Sequence, residues 1–346
     1  MTYLLRLTPV IACLTGLPVQ AEEKSRWTWS FYASLRSQIE HVDPDNHDVI
    51  DSYLSLRDAY SRFGLNLHYR IDSATNLFAQ IEAPFDSANF RLRDPYDRAG
   101  SGPHRSQSLR LALVGAEGPF GTLVLGKQWM PYYNAIAAPL DWFSSYYSGF
   151  ATYTSSRVPR TAAWYSPEVK GFSLAGSWSQ AHGNEHSPSR IDERRQATMS
   201  WTNGPLRLSA GVDDRDNPGR HRDRFYGLSG TWVHGDWYVA AKYERTDTDL
   251  PDAVYGDVQE AFNILGAWTS GRNTWKLMLA RVEGFGGNIV HAGVDHRYNE
   301  QLKLFAEFYH EAETAAITAK RKGLDGFDAA TRGGSALMFG LHYDFF

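Results

Sequence analysis

The chain has one cysteine in 346 residues, Cys13, so no internal disulfide can form and a disulfide-stapled secreted domain is excluded. Beyond the N-terminus no stretch approaches the ~18 consecutive apolar residues of a spanning helix, and mean hydropathy is −0.43, so a helical membrane protein is excluded too. The 12 histidines are scattered without a His-Glu-x-x-His or similar ligand cluster, so no metal and no cofactor is expected. There is no Gly-x-Ser-x-Gly elbow and no acid/base pair at a meaningful spacing, which argues against an enzyme. A net charge of −4 argues against nucleic acid as partner. None of these absences touches a barrel that crosses lipid with strands, because such strands show lipid only every second residue and their hydropathy averages out.

What is present begins with an export signal. Met1–Ala21 carries Arg6, an apolar run from Leu7 to Leu17, and Val19-Gln20-Ala21 ahead of Glu22-Glu23. That is the pattern of a leader cleaved after Ala21, leaving residues 22–346 as one domain and removing Cys13. A lipid-attachment reading of Val10-Ile11-Ala12-Cys13 is the weaker one, since a good cleavage site follows.

From Lys24 onward, alternation of apolar and polar residues is persistent. Trp27, Trp29, Phe31, Ala33 and Leu35 share one face, opposite Thr28, Ser30, Tyr32, Ser34 and Arg36. Arg57–Ile71 repeats the scheme as one strand, and parity places Arg62 opposite Phe63 and Leu65, and Arg110 opposite Leu111 and Leu113. The second half reads as hairpins: Arg195–Thr202 with Leu206–Val212, Tyr226–Val233 with Trp237–Glu244, Ala261–Thr269 with Thr274–Val282, and Ile289–Tyr298 with Leu302–His310. Short turns alternate with longer connections. The expected fold is all-β, a transmembrane antiparallel β-barrel of about sixteen strands, greasy outside and wet inside.

Between Thr122–Lys127 and Arg157–Ser179 lie roughly thirty residues of little regular pattern, rich in aromatic rings and far too long for a hairpin loop. With no helical layer to cover them, their burial site is the inside of the closed sheet. The segment Phe120-Gly121-Thr122-Leu123-Val124-Leu125-Gly126-Lys127-Gln128, then Arg157, Ser166-Pro167 and Gly171-Phe172, resembles the Gram-negative general porins. The resemblance implies that this third long loop folds into the lumen and narrows it. It also implies a homotrimer in the outer membrane that passes small hydrophilic solutes and ions, in contact with outer-membrane lipid and lipopolysaccharide.

The same resemblance assigns roles. Arg62, Arg110 and Arg157 stand where the family places a basic wall at the constriction, with Arg36, Arg70 and Lys127 as further lumen candidates. Family loops carry several facing carboxylates, whereas Asp141 is the only acid between Gln128 and Arg157. Several cations against one anion lead to an expected preference for anions. The loop aromatics Trp129, Tyr132, Tyr133, Trp142, Tyr146 and Tyr147 either pin the loop to the wall or offer stacking surfaces. The second option defines the alternative function, a substrate-specific channel. A barrel enzyme lacks a catalytic constellation, and a soluble β-protein leaves the two-faced alternation unexplained. The terminal alternation Leu337, Phe339, Leu341, Tyr343, Phe345 resembles the strand read by the barrel-assembly machinery, which implies a signal at Gly340, Tyr343, Phe345 and Phe346. Phe346 lies one residue beyond the family pattern.

Overall fold

Apolar and polar residues that alternate along a segment can satisfy both solvents only in an extended strand whose backbone groups are paired on both sides. The computed structural model describes residues 26–92, 109–147, 151–180, 193–216, 222–249, 258–317 and 331–345. The leader expected over residues 1–21, with Cys13, and the terminal Phe346 lie outside them.

The strands are β1 (Trp27–Pro44), β2 (Tyr53–Asp58), β3 (Arg62–Arg70), β4 (Asn76–Pro84), β5 (Leu111–Gly118), β6 (Gly121–Trp129), β7 (Arg157–Tyr165) and β8 (Phe172–Ser179). They continue as β9 (Glu193–Asn203), β10 (Leu206–Asp216), β11 (Asp223–His234), β12 (Trp237–Thr248), β13 (Glu260–Ser270), β14 (Asn273–Val282), β15 (Gly287–Arg297), β16 (Leu302–Glu311) and β17 (Gly334–Asp344). Every neighbouring pair is antiparallel, and β17 pairs back onto β1 with His342 opposite Arg36, which closes the barrel. Both β2 and β3 pair with β1, the first along Ser37–Val42 and the second along Trp27–Ser34. The 17 segments therefore make sixteen strands, one of them interrupted.

The interruption departs from the single strand expected over Arg57–Ile71. Tyr60 sits at φ 69°, and the Asp58 carboxylate collects the backbone N–H groups of Tyr60 (2.8 Å), Ser61 (3.0 Å) and Ser87 (3.1 Å). The Ser61 hydroxyl replaces backbone in the ladder, accepting from Arg36 N–H at 2.8 Å and donating to Arg36 C=O at 3.0 Å. A side chain thus carries the pairing across the bulge without leaving orphaned groups.

The lipid face follows parity nearly everywhere: Trp29, Phe31, Leu54, Leu228 and Phe339 are exposed outward. On β5 the expectation fails by one residue. Leu111 is only 3% exposed and pairs with Glu82, while Val114 is exposed and pairs with the equally exposed Leu125. Cross-strand partners share a face, so Ala112, Val114 and Ala116 face lipid and Leu111 and Leu113 face inward. The cause is local: Arg110 N–H binds the Glu82 carbonyl at 2.7 Å, so Arg110 and Leu111 both lie against one residue and the alternation slips.

Inside, the long connection after β6 forms a π-helical turn at Tyr133–Ala137 and a 3₁₀ turn at Ala138–Leu140. Leu140, Phe143, Tyr147 and Tyr153 join inward residues of the wall such as Phe225, Ile289 and Tyr309 in one apolar cluster. That cluster packs one sector of the lumen, and the loop is mounted on it.

Candidate functional site

The loop meets inward-facing side chains of the wall on strand after strand, and its Tyr153 hydroxyl reaches the Glu260 carbonyl of β13 at 2.9 Å. Tyr132 N–H donates to Gln196 of β9 at 3.0 Å, and Ser229 of β11 donates to the Ala135 carbonyl at 2.6 Å. Tyr132 rests on Gly211 and Gly227; a Cβ at Gly227 would lie 2.4 Å from the Tyr132 hydroxyl, so only glycine admits the ring. Tyr238 of β12 donates to the Pro139 carbonyl at 2.7 Å and stacks under Trp142 with ring centroids 4.0 Å apart.

The tip is held by a buried ionic knot. Glu307 of β16 accepts the N–H groups of Ser144 (2.7 Å) and Ser145 (3.0 Å), the Lys276 ammonium (2.9 Å) and His291 Nε2 (3.1 Å). Lys276 spends its other two protons on Asp295 (2.8 Å) and the Trp142 carbonyl (3.1 Å), so its three donors are all used. Phe143 stacks on His291 at 3.5 Å between centroids. His342 Nε2 lies 2.7 Å from the Ser144 carbonyl; a carbonyl only accepts, so that nitrogen carries a proton. Beyond the tip, Tyr146 N–H donates to Gln38 of β1 at 2.8 Å, and its ring stacks on Tyr60 (5.6 Å) beneath the Arg57 guanidinium (3.2 Å). Tyr147 stacks on Tyr309 at 4.7 Å.

The loop's return brings Arg157 to the head of β7, its guanidinium 4.8 Å above the Trp129 ring. Trp129 stacks on Tyr133 at 5.0 Å, and the Tyr133 hydroxyl donates to Asp141. The single loop acid therefore serves a loop tyrosine. On the wall, Arg62 and Arg110 share one carboxylate, Glu82, at 3.8 and 2.7 Å. Arg110 is only 2% exposed, so it acts as the buried partner of Glu82 while Arg62 reaches water.

The remaining candidates lie as follows. Arg36 shares the inward face of β1 and its Nε donates to Ser34 at 2.8 Å. Arg70 is exposed at the turn end of β3. Lys127 is paired with Ala112, whose face looks to lipid, and its ammonium ends on the Leu109 carbonyl at 2.7 Å. Four of the six loop aromatics, Tyr132, Tyr133, Tyr146 and Tyr147, are buried, and Trp129 and Trp142 are half-buried. At Gly340 a Cβ would lie 2.3 Å from the Phe305 ring, and Tyr343 meets Phe345 edge to face at 4.8 Å.

Sequence reasoning missed Glu82, Glu307, Lys276 and Arg57. Parity places each on the inward face, but which of them meet depends on cross-strand register and on where the loop crosses.

The sequence model of the Gram-negative porin family matches residues 8–315. Among solved structures, the anion-selective porin from Comamonas acidovorans superposes with a TM-score of 0.71 at 15% identity, over 92% of this chain and 100% of that one. OmpF of Salmonella typhi in complex with daunomycin gives 0.68 at 14% identity, over 92% and 97%. The in-vitro folded OmpT of Vibrio cholerae in its trimer form gives 0.62 at 14%, over 93% and 100%. No curated protein sequence matches significantly.

Proposed function

The chain belongs to the Gram-negative porin family, and on that premise we propose that its constriction favours anions. The protein is an outer-membrane channel for passive diffusion of small hydrophilic solutes and ions; it makes and breaks no bond. The constriction lies between the inward loop and the wall that carries Arg62, Arg110 and Arg157. The observation that carries the anion reading is the gathering of guanidiniums on this wall: Arg62 and Arg110 both reach Glu82, and Asp141 accepts from Tyr133. Guanidiniums collected on one wall at a narrow point lower the cost of admitting an anion. The anion selectivity of the similar Comamonas acidovorans porin supports the same reading. Reversal potentials of single channels in a KCl gradient test it: chloride preference is expected, and a clear potassium preference overturns it.

Burial of four of the six loop aromatics supports a pinning role, because a stacking platform needs open ring faces. The substrate-specific alternative would rest on Trp129 and Trp142 alone; saturable block of conductance by one solute class is its signature. The reading extends to a homotrimer, as in the trimer form of the similar OmpT. It includes a leader removed after Ala21, a single mature domain over residues 22–346, lipopolysaccharide around the barrel, and a C-terminal strand ending in Tyr343, Phe345 and Phe346 that the assembly machinery reads.

A further inference from the structure

Glu311 ends β16 at the mouth that carries the longer connections, two residues beyond Tyr309 and on the same inward face, and both side chains are fully enclosed. A carboxylate at a channel mouth would ordinarily face water. Here its oxygens are taken by the chain that follows: Oε1 accepts the N–H groups of Ala315 (2.8 Å) and Ile317 (2.9 Å), and Oε2 accepts Ala316 N–H (2.8 Å) and the Tyr309 hydroxyl (2.7 Å). Three successive amides converge on an inward-pointing group only where the chain folds back over the inner face of the barrel. Residues 315–317 therefore lie on the lumen side of the wall, and all three are buried.

The fold-back is tied at both edges. On one, Ala312 N–H reaches the carbonyls of Gly286 (3.0 Å) and Asn288 (3.1 Å), and Glu313 N–H reaches Gly286 (3.1 Å), where β14 leads into β15. On the other, Thr331 gives its one hydroxyl proton to the Ile317 carbonyl (2.8 Å) and so accepts from the Thr314 hydroxyl (2.8 Å). The carbonyls of Thr331 and Gly333 in turn take the N–H groups of Asn46 (3.1 Å) and Asp45 (3.2 Å), just beyond β1. The connections after β14, after β16 and after β1 are neighbours around the barrel, so residues 312–317 run as a strap across them.

Ala316 and Ile317 join the apolar cluster that also seats Tyr147 and Tyr153 of the aromatic loop. One side chain touches both elements: Tyr309 stacks on Tyr147 at 4.7 Å and donates to Glu311.

We infer that residues 312–317 are a second inward element of the channel, a strap pinned by Glu311 that occupies part of the long-loop mouth and sets the size of solute admitted ahead of the constriction. Glu311 is a positioning residue, because it acts through the strap and not on the solute. The inference needs the channel but not the proposed anion preference. Removing the carboxylate orphans three N–H groups at once, which raises the population with a released strap about ten-fold or more.

The test is liposome swelling with sugars of graded size, from a pentose to a trisaccharide, on channels reconstituted from the full chain. Heat-modifiable migration in detergent gels selects folded barrels. The arms are Glu311→Ala; Thr331→Val, which breaks the far tie without changing charge; and Glu313→Ala, which removes a charge from the same segment and none of the bonds described above. The trisaccharide-to-pentose rate ratio is expected to rise in Glu311→Ala, to rise less in Thr331→Val, and to stay at the wild-type value in Glu313→Ala. In single-channel recordings of Glu311→Ala, the time spent above the wild-type conductance level rises about ten-fold or more. A Glu311→Ala channel with unchanged ratio and conductance overturns the strap, and so does a rise of equal size in Glu313→Ala. If Glu311→Ala yields no folded barrel, Thr331→Val decides, and a wild-type ratio there overturns the strap. A wild-type protein that passes not even the pentose overturns the channel reading instead.

Discussion

Replacing Glu307 by alanine removes the anchor of the loop tip. The side chain is fully enclosed, and its two oxygens satisfy the Ser144 and Ser145 N–H groups, Lys276 and His291. Each orphaned N–H costs about 1–3 kcal/mol where water cannot reach it, and breaking a buried ion pair by deleting one partner costs about 3–5 kcal/mol. Lys276 keeps Asp295 and the Trp142 carbonyl, so the lower end applies, about 3 kcal/mol for the anchor as a whole. At 1.4 kcal/mol per decade this raises the population with a detached tip roughly hundred-fold. The sixteen-strand ladder does not depend on the anchor, so the barrel survives. Single-channel recordings are then expected to show fluctuating sub-levels in Glu307→Ala, with the detergent-gel mobility of the folded barrel retained. Glu307→Gln, which keeps one carbonyl acceptor, falls between the two. A Glu307→Ala channel with wild-type conductance and noise would refute the claim that this knot holds the loop.

Three further outcomes follow from individual contacts. Arg62→Gln lowers the chloride-to-potassium permeability ratio about two-fold or more, because Glu82 then faces Arg110 alone; reversal potentials check it. Gly227→Ala drives a methyl into the Tyr132 hydroxyl and Ile136, overpacking the loop against β11 at a cost of about 1–3 kcal/mol, read as a lowered temperature of heat modification. In the exposed turn after β3, the N–H groups of Ala74 and Thr75, each 2.8 Å from Asp72, hold its carboxyl below the usual carboxylate range. A depressed value means that the ionised form stabilises the turn above about pH 4 and that the benefit disappears as pH falls through the folded value. The Asp72→Ala variant should therefore unfold at a lower temperature than wild type at pH 7, with the gap narrowing toward pH 3.

Much of the fold was legible because parity is a local property. The alternation from Trp27 to Leu35 and the paired runs around Asn203-Gly204-Pro205 and Ser270 to Asn273 became strands and turns where the pattern placed them. The failures were also local and have a common cause. At Tyr60 and at Arg110–Leu111 the chain inserts or shifts a residue, and the partner that makes this tolerable comes from elsewhere: Ser87 for Asp58, and the Glu82 carbonyl for Arg110. Leu111 is greasy and follows a basic residue, so nothing in its neighbourhood distinguishes a lipid-facing leucine from one tucked beneath an ion pair.

The site was less legible because parity gives the side of the wall on which a residue stands but not its height or its neighbours. Arg62 was correctly placed inward, yet the acid it shares with Arg110 lies on a different strand and twenty residues away in sequence. The loop's anchors come from Gln38, Gln196, Lys276, His291, Glu307 and His342, spread across the chain and joined only by closure of the sheet. What would decide the proposed charge preference is correspondingly non-local. Glu82 reaches Arg62 and Arg110, and Asp295 reaches Lys276 and Lys303, each joining bases from separate strands. Net charge −4 therefore does not argue against the proposed anion preference, because overall composition counts every carboxylate equally while a permeating ion meets only those the barrel turns inward.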